Sequence, residues 1–145
     1  MKNILFVCTG NSARSIIAES IINNEYDDLY KGFSAGSNPT GKINEDVKNY
    51  LLSKHYDLSN YKSKNFNEFI NSQFKMDYVI TVCNNANNEV CPIWPNKDKI
   101  IHWDIEDPVK ILNETNDLNK KDEIIEKVYN NICLLYTSPS PRDIR

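Results

Sequence analysis

"ILFVCTGNSARSIIAE" spans residues 4–19, and its reading decides the fold. Ile4-Leu5-Phe6-Val7 is a short, unbroken apolar run, as a strand covered on both faces requires. Apolar residues at 16, 17, 21 and 22 have the spacing of an amphipathic helix, predicted from Ser12 to about Glu25. Between the two lie Cys8, a group of hydroxyl and amide side chains, Arg14, and Gly10, one of only 4 glycines in the chain. Such a junction is either an ordinary turn around a buried cysteine or a place where chemistry happens.

The remaining sequence continues the alternation. Lys31–Ser37 reads as a second strand ending in a glycine turn. "NPTGK" then leads to a helix from about Asn44, with Val47, Tyr50, Leu51 and Leu52 on one side. Residues 65–70 suggest a short helix. Asp77–Cys83 is the clearest strand, β-branched and mostly apolar, and Lys99–Trp103 reads as a fourth. A last helix is predicted over Asp117–Ile132, with Leu118, Ile124, Ile125, Val128, Tyr129 and Ile132 as its apolar side. Strands alternating with helices predict a three-layer α/β/α domain. No repeat or linker divides it.

With 145 residues, 40% of them hydrophobic, one domain with its own core is expected. A net charge of −3 leaves no basic stripe for nucleic acid. The apolar run before Cys8 is too short for a secretory leader, and no stretch reaches the roughly 18–20 residues of a membrane span. The expectation is a cytoplasmic monomer with no nucleic-acid or membrane partner. Four cysteines in that compartment point to catalysis, redox or metal chemistry rather than a disulfide framework. Residues 133–145, "CLLYTSPSPRDIR", break sharply from the Lys/Asn-rich helix before them. Pro139 and Pro141 exclude a helix interior there. The stretch resembles a translated sequencing-adapter read-through. The domain is therefore expected over 1–132, with 133–145, Cys133 included, set aside as a non-native tail.

In parallel α/β sheets, ligands bind at the carboxyl ends of the strands, beside helix N-termini. Cys8 lies at that edge if the first strand ends at Val7. Several backbone N–H groups of residues 9–14 can then converge with the helix dipole on one anion. Gly10 would let the backbone approach a ligand closely or adopt a positive φ. Arg14 offers a planar fork to two oxyanion oxygens. The same surroundings favour the thiolate of Cys8. A Cys-to-Arg spacing of six is weak alone, arising by chance about one time in five with four cysteines and an Arg frequency of roughly 5%. The whole string between strand and helix is far more specific.

That string resembles the active-site loop of the low-molecular-weight protein tyrosine phosphatase superfamily, and more narrowly its arsenate reductase branch. The similarity extends through "SAGS", "SKNFNEF", "DYVITVCNNANNEVCPIWP" and "HWDIEDP", nearly everything before the tail. It implies a four-stranded parallel sheet in the order 2-1-3-4. It also implies that Cys8 is the nucleophile and that Thr9, Gly10, Asn11, Ser12, Ala13, Arg14 and Ser15 bind phosphate or arsenate. Asn11 would hold the loop in shape and Ser15 would bond the thiolate. Asp107, before Pro108, becomes the acid/base candidate; read without the resemblance, Asp-Pro is a common turn. Phosphatases of the family usually carry an aromatic residue after that proline and a Trp after "SAG". Here those places hold Val109 and "SNPTGK". Asn11, Glu19 and Ser34 line up with residues that bind a monovalent cation in some relatives, although Glu19 reads equally as a solvated helix residue.

Cys83 and Cys91, eight residues apart, read as incidental thiols, a redox pair or part of a zinc site. Zinc lacks a CxxC partner, and His102 is the only nearby histidine. The resemblance favours redox: arsenate reduction needs two electrons, which a thiol pair supplies by becoming a disulfide. Cys8 would attack arsenic, Cys83 would attack the Cys8 sulfur, and Cys91 would draw the disulfide outward to Cys83–Cys91. The intervening loop is one residue longer than in the best-known thioredoxin-coupled members. The implied donor is thus thioredoxin, or glutaredoxin with glutathione, with no tightly bound cofactor. Two alternatives stand beside the reductase: a phosphatase whose extra cysteines protect Cys8, and a non-catalytic oxyanion-binding or redox-sensing domain. His55 and His102 read as ordinary packed or surface residues, and Trp94 and Trp103 as core or loop anchors.

Overall fold

The strand predicted from the opening stretch lies at the centre of a four-stranded parallel sheet, ordered β2-β1-β3-β4. The computed structural model describes residues 1–70, 75–84 and 100–137. Its strands are β1 (Lys2–Cys8), β2 (Tyr30–Gly36), β3 (Tyr78–Cys83) and β4 (Ile100–Asp104). The helices are α1 (Arg14–Glu25), α2 (Glu45–Ser53), α3 (Asn67–Ile70), α4 (Val109–Asn113) and α5 (Leu118–Thr137). The order is the one the family resemblance implies.

Alternation along the strands builds two cores. Ile4, Phe6 and Cys8 of β1, with Ile80 and Val82 of β3, face one side and pack with residues of α1, α2 and α5. Leu5, Val7, Ala35 and Val79 face the other, against Met76 and the partly buried Phe69 and Ile70 of α3. Every residue of β3 is buried, which is why its sequence carries no polar alternation.

Helix α2 starts where predicted because Asn44 Oδ1 accepts the N–H groups of Asp46 and Val47 at 3.0 and 3.1 Å. Helix α1 differs from its expected amphipathic form: every residue from Arg14 to Ile22 is buried. The sheet covers one side, and α2 and α5 cover the other. Helix α4, five residues long, has no predicted counterpart. Helix α5 buries Ile125, Val128, Ile132 and Tyr136, while Leu118, expected on the apolar side, is 73% exposed. The helix also runs through residues 133–137. Tyr136 donates to the Ala18 carbonyl at 2.8 Å and packs its ring against Phe6, Tyr26 and Trp103. No helix among the described residues is long and apolar enough to cross a membrane.

Candidate active site

The loop after β1 is pinned from outside through its carbonyls. The N–H groups of Ser37, Asn38, Thr40 and Asn44 donate to the carbonyls of Cys8, Thr9, Gly10 and Ser12, at 2.9–3.1 Å. Ser63 Oγ adds a second bond to the Gly10 carbonyl at 3.1 Å. With its acceptors engaged on the outer side, the loop turns its donors inward. Among the described residues, the N–H groups of Gly10, Ser12 and Ala13 have no acceptor. Helix α1 begins beside them with no side-chain cap and no acidic residue in its first turn. Its positive end is left for a bound anion.

Asn11, not Gly10, takes the left-handed conformation, with φ of 47°. Its side chain stabilises that backbone from two directions. Oδ1 accepts the Lys64 N–H at 2.9 Å, which orients Nδ2 to donate to Ser15 Oγ at 2.7 Å. Ser15 Oγ, which accepts from Asn11, keeps its own proton to give and lies 2.9 Å from Cys8 Sγ, so it can donate to that sulfur when it is a thiolate. The Asn11 N–H reaches the same sulfur at 3.2 Å. Two donors thus converge on a buried cysteine, the arrangement a thiolate needs. The glycine the loop depends on most is Gly36, at the end of β2. A Cβ there would lie 2.5 Å from the Thr9 carbonyl and 3.0 Å from Asn11 Cβ.

Arg14 is 2% exposed, a full positive charge sunk at the base of the cavity. Its Nη1 donates to the Ile105 carbonyl at 2.9 Å, so the segment after β4 aims the guanidinium. Nη2 lies 3.8 Å from Asp107 Oδ2, with the Asp107 side chain half exposed. Asp107 Oδ1 accepts the Val109 N–H at 3.0 Å, holding the carboxyl at the mouth. The cavity, about 860 Å3, is lined by residues 8–14, Asn38, Thr40, Glu106, Asp107, Val109, Lys110 and Ile111, with no aromatic ring among the described residues.

Beneath the loop, Ser34 Oγ donates to Glu19 Oε1, and Glu19 is 6% exposed rather than solvated. Burial pushes its carboxyl above the usual range, opposed by the Lys64 charge and the Ser34 hydroxyl. Of the three cation-ligand candidates, Asn11 Oδ1 and Glu19 Oε1 already accept protein donors. Among the described residues, no three His, Cys, Asp or Glu side chains gather around one point.

Cys83 ends β3, the neighbour of β1, at the same sheet edge as Cys8. The two face oppositely, because Cys8 packs with Phe6 and Val82 while Cys83 alternates onto the face of Val79. Cys83 is disulfide-bonded, whereas Cys8 and Cys133 are free. Cys91 and Trp94 lie outside the described residues.

Sequence reasoning named Cys8, Asn11, Arg14 and Ser15 but gave no role to Gly36, Ser63, Lys64 or the 37–44 wall. "SAGS" and "SKNF" carried that signal as part of the resemblance.

A family model described as low molecular weight phosphotyrosine protein phosphatase matches residues 3–135. The chain belongs to this family. Its similarity to an arsenate reductase of Staphylococcus haemolyticus is 36% identity over 107 residues, covering 74% of this chain and 79% of the relative. Among solved structures, an arsenate reductase from Archaeoglobus fulgidus superposes with a TM-score of 0.64 at 26% identity, over 90% of this chain and 98% of that one. A thioredoxin-dependent arsenate reductase from Corynebacterium glutamicum matches with a TM-score of 0.61 at 26% identity, over 94% of this chain and 61% of that one. Within the phosphatase family, these similarities put the chain on the arsenate reductase branch.

Proposed function

We propose that the protein reduces arsenate to arsenite, with Cys8 as nucleophile and Cys83 and Cys91 relaying the oxidation to an external thiol donor. The observation that carries this reading is the pair of cysteines ending neighbouring strands at one sheet edge, one of them inside an oxyanion cradle.

Residues 9–15 and Arg14 hold the tetrahedral anion while Cys8 attacks arsenic. Asp107 protonates the departing oxygen, which leaves as water. Cys83 thiolate then attacks the Cys8 sulfur. A sulfur–sulfur bond forms, the sulfur–arsenic bond breaks, and its electron pair stays on arsenic, which departs as arsenite. Cys91 attacks Cys83 in turn and frees Cys8. Because Cys8 and Cys83 face opposite sides of the sheet, the end of β3 must turn over, a change equivalent to a one-residue slip. The disulfide at Cys83 that excludes Cys8 supports a relay that passes the oxidation away from the nucleophile. The thioredoxin dependence of the Corynebacterium relative supports thioredoxin as donor, with glutaredoxin and glutathione as the competing system.

Residual phosphatase activity has its own support, since the cradle and Asp107 are what phosphoester cleavage also needs. Among the described residues no aromatic ring lines the cavity, which favours arsenate over aryl phosphates. Turnover with arsenate, supplied in turn with each donor system, is expected to exceed aryl-phosphate hydrolysis and to depend on Cys83. Brisk aryl-phosphate hydrolysis without reductant, and no arsenite, would instead support the phosphatase. Tight phosphate binding with neither activity would support a binding module.

A further inference from the structure

We propose that His102 is the proton acceptor that readies Cys83 for its attack, with Thr81 holding the imidazole in place. The proposal rests on the reductase reading of Cys83. In β4, Ile101 and Trp103 face the core shared with Cys8, so alternation puts His102 and Asp104 on the opposite face, the one Cys83 occupies. The β3–β4 register pairs Thr81 with His102 and Cys83 with Asp104. Cys83 and His102 are therefore diagonal neighbours on one face of the parallel pair, roughly 8 Å apart at the backbone from the ordinary strand rise and spacing, a span that an imidazole and a thiol can bridge together. Thr81 Oγ1 lies 3.0 Å from His102 Nδ1. When Nδ1 carries the proton and donates to Thr81, Nε2 is left as the basic nitrogen. His102 is exposed, so a proton it accepts can pass to water.

A buried resolving thiol needs such a partner. Cys83 is fully buried, and its register partner Asp104 carries a negative charge that opposes a second one on sulfur. The other carboxylate of this strand face, Asp77, sits at the far end and accepts the Asn3 N–H at 2.8 Å. Packed against the same face, α3 contributes Glu68, which is exposed. His102 is the one base that the described residues of β3 and β4 offer on this face. In the step proposed, the Cys83 S–H proton moves to Nε2 and the sulfur keeps the electron pair. Once the end of β3 has turned over toward Cys8, that pair forms the bond to the Cys8 sulfur as arsenic takes the electrons of the broken sulfur–arsenic bond.

The test uses the full-length chain, reduced, with Cys8→Ser and Cys91→Ser, and follows iodoacetamide labelling of Cys83 against pH by peptide mass. His102→Gln is expected to slow labelling about tenfold near neutral pH and to move the profile toward that of an ordinary thiol. Thr81→Val is expected to act in the same direction but less, and it carries the test if His102→Gln does not fold. Labelling of Cys133 should not change. An unchanged Cys83 profile in both variants would overturn the proposal. This readout needs no arsenate, so failure of the reductase reading would show separately, as no arsenate-dependent loss of thiols in the parent chain. With Cys8 and Cys91 restored, His102→Gln should also delay Cys8–Cys83 disulfide formation after one addition of arsenate, leaving labelling of Cys8 itself unaltered.

Discussion

Asn11 shows how much of the cradle rests on one side chain. It holds a left-handed backbone, ties the loop to residue 64 and orders the hydroxyl that faces Cys8. Asn11→Ala loses both bonds and strains the backbone, and should cost about 2 kcal/mol or more in chemical denaturation. Asn11→Gly relieves the strain but not the lost bonds, so it should fall between the two, with phosphate affinity reduced in both. Glu19 gives a prediction of opposite sign. Its carboxyl is raised by burial, so its contribution to stability is full below the ordinary value near 4.5 and is lost as pH rises through the higher folded value. Glu19→Gln should therefore gain on the parent protein between about pH 4.5 and 7, measured as the difference in denaturation free energy. A difference that stays constant across that range would contradict the assignment.

At the scale of elements, the strands were legible as short apolar runs and the longer helices by the spacing of their apolar residues. Helix α4 was not, since five residues are too few to show one. The outer wall of the cradle left a trace only in the family resemblance, for a more basic reason. Residues 37, 38, 40 and 44 act through backbone N–H groups, which any residue except proline supplies. Gly36 read as a turn residue, and only the approach of the Thr9 carbonyl shows why a side chain is excluded. Helix α5 carries its own prediction, because Tyr136 seals the core between β1, β4 and α1. Tyr136→Phe should cost about 1 kcal/mol for the lost bond to Ala18. Tyr136→Ala should cost about 3–5 kcal/mol for the emptied space. Equal, small losses in thermal unfolding would show that the end of α5 does not support the fold.

Over the whole molecule, strand order decides what the site can become. The 2-1-3-4 arrangement makes β1 and β3 neighbours, and parallel pairing sends the ends of both to one edge. Two cysteines more than seventy residues apart in the chain are thereby brought to one sheet edge, Cys8 in the loop that lines the cavity and Cys83 on the opposite face. Sequence resemblance implied roles for them, but not that they face opposite sides of the sheet, since that depends on the parity of a register no single strand reveals. The proposed function requires that electrons flow from these thiols to arsenate. Its most direct test adds one equivalent of arsenate to the reduced protein, blocks the remaining thiols and maps disulfides by peptide mass. One disulfide per arsenite released is expected, joining Cys83 to Cys91, with a trapped Cys8–Cys83 bond in Cys91→Ser. Arsenite released at an undiminished rate by Cys83→Ser, or with every thiol intact, would contradict the proposed function.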